Sequence, residues 1–189
     1  MIRAILLATA LLALPLHPVL AQVRAGDATF PEQVQAGGQT LVLAGTGVAT
    51  YRVIFTVYGA ALYVPPGTAP SVVLDARTPR RLDIEYFYEI TPAQITEAAN
   101  TILDRQLTPA QREAIDQRLR QFQSWFQTVT EGDRYRMEYL PGQGTTLYFN
   151  GERLGTIEGA DFAAAYFGIW LADESLSQGL RNDLTMRLE

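Results

Sequence analysis

The chain has no cysteine and no lysine, and its single histidine, His17, lies near the amino terminus. Every one of its 15 lysine-or-arginine positions is an arginine. Without cysteine there is no disulfide framework, so an oxidising compartment is tolerated without being exploited. Once His17 is lost with a leader, no histidine, thiol or amine side chain remains. That excludes Ser-His-Asp and Cys-His nucleophiles, Schiff-base lysines, and zinc sites built on histidine or thiolate. Arginine, tyrosine, hydroxyls and carboxylates are left to build a site, and neither a metal nor a cofactor is expected. The formal net charge of −5 argues against a nucleic-acid partner and against a polybasic membrane footprint.

Long apolar runs are also scarce, and the one present is at the start. Arg3 precedes an apolar stretch over residues 5–16, interrupted only by Thr9 and Pro15, and Val19-Leu20-Ala21 offers a cleavage point before Gln22. This is the layout of a secretory signal peptide, and the stretch is short for a membrane span. Residues 1–21 are therefore read as a cleaved signal peptide, with an uncleaved anchor as the alternative. Residues 22–189 then form one exported domain, periplasmic or secreted, with no transmembrane segment after cleavage.

Along that domain, residues 22–38 are polar and read as an opening segment. A short strand over 40–44 is closed by a tight Gly45-Thr46-Gly47 turn. Residues 52–64 carry the longest strand pattern. Gly59-Ala60-Ala61 in its middle calls for a close neighbour, a bend or a bulge. Residues 80–90 alternate Leu82, Ile84, Tyr86 and Tyr88 with Asp83, Glu85 and Glu89, a half-buried strand whose carboxylates face water. Thr91-Pro92-Ala93-Gln94 and Thr108-Pro109-Ala110-Gln111 are two capping boxes with proline at the first helical position. They predict back-to-back helices over 92–106 and 109–128, the second with an apolar stripe of Ile115, Leu119, Phe122 and Phe126. Strands over 133–140, 145–149 and 153–157 follow, the last two joined by Asn150-Gly151, a hairpin signal. Helices over 160–171 and 177–187 end the chain, with Asp161 and Phe162 read as a cap. This order is α+β, an antiparallel sheet covered on one face by helices.

Tyr58, Tyr63, Tyr86, Tyr88, Tyr135 and Tyr139 would line one sheet face and could build a pocket for an amphipathic ligand; ordinary core and rim tyrosines give the same pattern. Arg52, at the mouth of the long strand, is either a bidentate partner for a ligand carboxylate or a solvated strand-end arginine. Gly45-x-Gly47 is not a phosphate loop, because no helix follows it directly.

In order, Gly45-Thr46-Gly47, Val57-Tyr58-Gly59-Ala60-Ala61-Leu62-Tyr63-Val64, Arg81-Leu82-Asp83-Ile84-Glu85-Tyr86, Gly132-Asp133, Tyr148-Phe149-Asn150-Gly151-Glu152-Arg153-Leu154-Gly155, Ile169-Trp170-Leu171 and Leu180-Arg181-Asn182-Asp183-Leu184 resemble the bacterial chalcone isomerase-like proteins. The resemblance covers nearly all of residues 22–189. It implies an open-faced β-sandwich, a large antiparallel sheet covered by a layer of helices with a pocket between them. Members of that fold either close a chalcone to a flavanone or bind fatty acids without catalysis. The isomerase arginine falls here at Ala49 or Thr50, or at Arg52 if the loop shifts. Its threonine falls at Thr56 or at Tyr58, and Tyr58 resembles the tyrosine of the fatty-acid-binding members. Asn100 matches the helix asparagine, whereas Ala93 and Thr96 replace the tyrosine and lysine. Most of the catalytic set is missing.

The resemblance thus implies a non-catalytic binder of a fatty acid or similar small amphipathic ligand, with Tyr58, Arg52 and Asn100 as candidate ligand-binding residues and no catalytic residue assigned. One alternative is an intramolecular lyase of chalcone isomerase type with a rearranged site around Arg52, Tyr58 and Asn100. The other is an envelope assembly protein without a small ligand, suggested by the aromatic helix Phe162, Tyr166, Phe167 and Trp170. Helical spacing places Phe162, Tyr166 and Ile169 on one buried face and Trp170 at its edge, mostly buried.

Overall fold

Seven strands pair in sequence order into one antiparallel sheet, with alternation of apolar and polar side chains plain in β3, β6 and β7. The structure is a computed structural model and describes residues 21–51 and 55–189. A short hairpin, β1 (Gln22–Ala25) and β2 (Ala28–Pro31), comes first. The sheet then runs β3 (Gln33–Ala36), β4 (Gln39–Tyr51), β5 (Phe55–Val64), β6 (Arg80–Tyr86), β7 (Arg134–Leu140), β8 (Gly144–Phe149) and β9 (Glu152–Ile157). Helices α1 (Pro92–Gln106) and α2 (Pro109–Gln123) lie between β6 and β7, and α3 (Ala160–Leu171) and α4 (Gln178–Leu184) follow β9. The α+β, open-faced architecture is the one expected. Among the described residues no helix is long and apolar enough to cross a membrane.

Local chemistry sets the helix boundaries. Thr91 and Thr108 each accept a hydrogen bond from the backbone N–H of Gln94 and Gln111, whose side chains return the bond, so both capping boxes are complete. Asn150 and Gly151 take φ of 48° and 87° and close the β8–β9 hairpin tightly. The second helix stops at Gln123, earlier than its apolar stripe suggests; Phe126 packs on the core from the loop beyond.

Several sequence expectations are corrected. The Gly45-Thr46-Gly47 segment is not a turn but the middle of β4, with a register shift beside it. Its glycines clear the way for α4: a Cβ at Gly45 would strike the Asp183 carbonyl, and one at Gly47 would lie 2.8 Å from Leu180 Cδ1. Residues 22–38 are not an unstructured opening. The β1–β2 hairpin covers the outer face of β4 and β5, so the sheet is not covered on one side alone. Ala28 approaches the position a Gly59 side chain would take, the close neighbour that the Gly59-Ala60-Ala61 run called for. Residues 87–90 do not extend β6; only Ile90 pairs again, with Val129. Asp83 and Glu85 do not face open water: Asp83 is 6% exposed, both its carboxylate oxygens are held by Arg81, and Glu85 pairs with Arg134. Asp161 is not the cap of α3, a position taken by Gly159; it sits in the first turn and binds Arg118 at 2.6 and 2.8 Å.

Arg80 opens β6 completely buried. Its Nη1 donates to the carbonyls of Val73, Asp75 and Thr78 at 3.3, 3.0 and 3.0 Å, tying the β5–β6 connection to the sheet. The guanidinium lies 4.4 Å from the Tyr139 ring centroid and 4.9 Å from that of Phe167. Burial lowers its pKa to about 10, with the Tyr139 and Asp75 interactions opposing that fall.

Candidate functional site: an apolar cavity between sheet and helices

The inner face of the sheet and the helices do not close completely. Ala49 on β4 and Ala98 and Ala99 on α1 are too short to fill the gap between the layers. The space left is a cavity of about 710 Å³, in the range of small-molecule sites. Its sheet wall is built from four strands: Val57 and Tyr58, beside the register shift between β4 and β5, then Leu82, Ile84 and Tyr86, Tyr135 and Met137, and Leu147. Its helix wall comes from Ile95, Ala99 and Ile102 at helical spacing on α1, from Phe122, and from Tyr166, Ile169 and Trp170 on α3. The mouth is lined by exposed Thr50, Tyr88, Gln94, Glu97, Thr101, Leu176 and Ser177.

Polar groups inside are few and phenolic. The Trp170 indole N–H donates to the Tyr58 hydroxyl at 2.9 Å, which leaves the Tyr58 O–H free to donate. The Tyr58 and Tyr86 rings meet edge-on at 5.6 Å, and Tyr86 meets Tyr135 edge-on at 6.1 Å. Burial pushes the phenols of Tyr58, Tyr86 and Tyr166 well above the ordinary tyrosine range; at Tyr58 the Trp170 bond opposes this without cancelling it. All three are neutral hydrogen-bonding groups at physiological pH. Among the described residues no arginine lines the cavity, and Glu97 at the mouth is its one carboxylate. The site offers hydrogen bonds and apolar surface to a bound molecule.

Of the residues singled out from sequence, Tyr58 stands in the cavity wall. Arg52 lies outside the described residues. Asn100 is one residue past Ala99, and that step of helix turns it to the seam between α1 and α2. There its Oδ1 accepts from Gln123 Nε2 at 2.9 Å and Arg112 Nη2 at 3.2 Å. Tyr58 and Asn100 are therefore not brought together. Ala93 and Thr96 do not line the cavity either.

The six tyrosines do not share one face. Tyr63, an odd number of residues from Tyr58, packs under the outer hairpin, and Tyr88 is exposed beyond the end of β6. Tyr139 is on the inner face but outside the cavity, its hydroxyl donating to Ala76 O at 2.7 Å. Trp170 is partly buried at the cavity wall, packed against the core at the edge of that face as expected, and hydrogen-bonded to Tyr58. Its position one step round from buried Ile169 was the signal for such a rim.

A meandering antiparallel sheet under a helix layer, with an apolar cavity between, defines the open-faced sandwich class of small-molecule pockets. The model of the chalcone isomerase-like family matches residues 22–185, and the chain belongs to that family. Among solved structures it is similar to a fatty-acid binding protein of Arabidopsis thaliana, with a TM-score of 0.69 and 12% identity, over 87% of this chain and 96% of that one. No curated protein matches it by sequence.

Proposed function

We propose that this protein binds a fatty acid or similar amphipathic molecule in the cavity between sheet and helices and acts as a carrier without catalysis. The observation that carries the reading is the cavity itself: about 710 Å³, walled by aliphatic and aromatic side chains, with a few phenols and one indole as its interior hydrogen-bonding groups and the other polar side chains at the mouth. Such a wall suits an alkyl chain, whose transfer from water is favourable by about 0.8 kcal/mol per methylene. A bare carboxylate set deep among Leu82, Met137 and Leu147 would cost several kcal/mol, so the polar end belongs toward the mouth. Tyr58 in the cavity wall is the hydrogen-bond donor for that end in this reading, and Arg52 the candidate cation. The similarity to a fatty-acid binding protein supports the ligand class. The signal-peptide pattern, and a family match that opens at residue 22, support a role outside the cytoplasm.

The test is native mass spectrometry of the protein purified from the envelope fraction, followed by thermal shifts of delipidated protein with C12 to C18 acids. A co-purifying lipid mass, or stabilisation of about 2.7 kcal/mol at a hundred times the dissociation constant, is expected. A bare mass together with no shift for any chain length overturns the reading.

A further inference from the structure

On the opposite face of the sheet, away from the cavity, β6 and β7 set three arginines against three carboxylates. Arg81 lies across from Glu138, Asp83 from Arg136, and Glu85 from Arg134. Of the pairs that form, only Arg134 with Glu85 follows that register. Arg81 takes both oxygens of Asp83, at 2.7 Å each, and Arg134 takes Glu85 and also donates to Thr29 O at 3.0 Å. Arg136 is left over. Among the described residues it makes no hydrogen bond and no ion pair, and its Nε is buried without a partner. Arg24, Arg77, Arg105 and Arg153 also lack acidic partners, but they are exposed, and buried Arg80 is taken up by three backbone carbonyls. Arg136 is half-buried and held in place, its guanidinium 3.6 Å from the centroid of the Tyr148 ring. Beside it is a depression of about 190 Å³ lined by Arg81, Asp83, Arg134, Tyr135, Arg136 and Gly151.

A guanidinium fixed by stacking, partly dehydrated and unpaired has already lost the side-chain entropy and much of the water that an exposed arginine gives up on binding. Its planar fork matches a carboxylate or phosphate with two parallel hydrogen bonds. Glu138, two residues along on the same face, has no ion-pair partner among the described residues, and burial pushes its pKa up, opposed by Arg136 and Arg81. We infer that Arg136, presented over Tyr148 in this outer depression, is a binding site for a small oxyanion, a carboxylate or phosphate group, separate from the apolar cavity.

The experiment is a titration of the full chain with inorganic phosphate and, separately, with acetate, at constant ionic strength set by sodium chloride. The readout is NMR: the Arg136 Nε–H and the backbone amides of β7 and β8. Saturable shifts confined to Arg136, Tyr148 and their neighbours are expected, and the stronger arm names the anion. Arg136→Met, which keeps the stem on the Tyr148 ring, should weaken binding about tenfold or more. Glu138→Gln should strengthen it by removing the competing negative charge. If Arg136→Met does not fold, Arg136→Lys keeps the charge and loses the fork, and is expected to weaken binding severalfold. Shifts that chloride alone reproduces, equal affinity in the Arg136 variant that folds, or weaker binding in Glu138→Gln would each overturn the assignment.

Discussion

Replacing Arg80 by methionine sets two opposing effects against each other. Methionine keeps an apolar stem between the Tyr139 and Phe167 rings and removes the guanidinium. The Asp75 carbonyl retains the Thr78 N–H as a donor, whereas those of Val73 and Thr78 keep no other donor among the described residues. Two orphaned carbonyls cost about 1–3 kcal/mol each, and the lost cation–ring contacts add about 1 kcal/mol. Against this, the fold no longer has to dehydrate a cation whose Nε and Nη2 are buried without partners. The fall of the Arg80 pKa from 12.5 to about 10 puts that penalty at roughly 3 kcal/mol. The penalty is fully present at pH 7, below both values, and is relieved only as pH rises through about 10 toward 12.5. The net expectation is that Arg80→Met destabilises by about 2 kcal/mol at pH 7, lowering Tm by roughly 4–8 °C. Arg80→Lys should lose less, because one nitrogen, Nη1, makes all three bonds in the native protein. Urea denaturation followed by circular dichroism measures both. An Arg80→Met variant as stable as the parent would mean that dehydration, not carbonyl satisfaction, dominates at this site.

Other perturbations follow from single contacts. Gly45→Ala should lower stability by about 1–3 kcal/mol and loosen α4, read as faster amide exchange at Leu180 and Leu184, because the new methyl meets the Asp183 carbonyl. Gly155→Val should be similarly costly, since Trp125 lies over the space its side chain needs; unchanged urea midpoints would refute either contact. The Arg118 bond holds the Asp161 carboxyl below the usual aspartate range, so its stabilisation is present above the ordinary carboxyl pKa of 3.8 and lost as pH falls through the lower folded value. Asp161→Asn should therefore flatten the acid limb of the stability profile, and an unchanged limb would show the pair contributes nothing. Trp170→Phe keeps an aromatic ring at the partly buried wall position and deletes the donor to Tyr58; it should weaken ligand binding severalfold with only a small fall in Tm, and unaltered affinity would separate that hydrogen bond from binding.

Elements whose cause is local were legible in the chain itself. Both capping boxes named the starts of α1 and α2, and Asn150-Gly151 placed the last hairpin, because a cap or turn is decided within a few residues. What escaped depended on distant partners. Gly45 and Gly47 signal a turn and a close approach equally well, and the helix that settles the matter is at the far end of the chain. Alternation put Asp83 and Glu85 together on one face, but Arg134 of β7, which pairs with Glu85, is some fifty residues on. The candidate site divided in the same way. Tyr58 was legible from strand alternation, whereas Trp170 and Asn100 each lie one helical step from a buried neighbour. At such a boundary the sequence period does not tell rim from seam.

The central claim is that the cavity takes an alkyl chain, and its most direct measurement is the dependence of affinity on chain length. Delipidated protein carrying Trp125→Phe, so that Trp170 at the cavity wall is its one remaining indole, is titrated with saturated acids from C8 to C18 while its emission is followed. The account predicts saturable one-to-one binding whose dissociation constant falls about fourfold per added methylene, from roughly 0.8 kcal/mol each, until the cavity is filled. Affinity independent of chain length, or a Trp170 signal that never saturates, would contradict it.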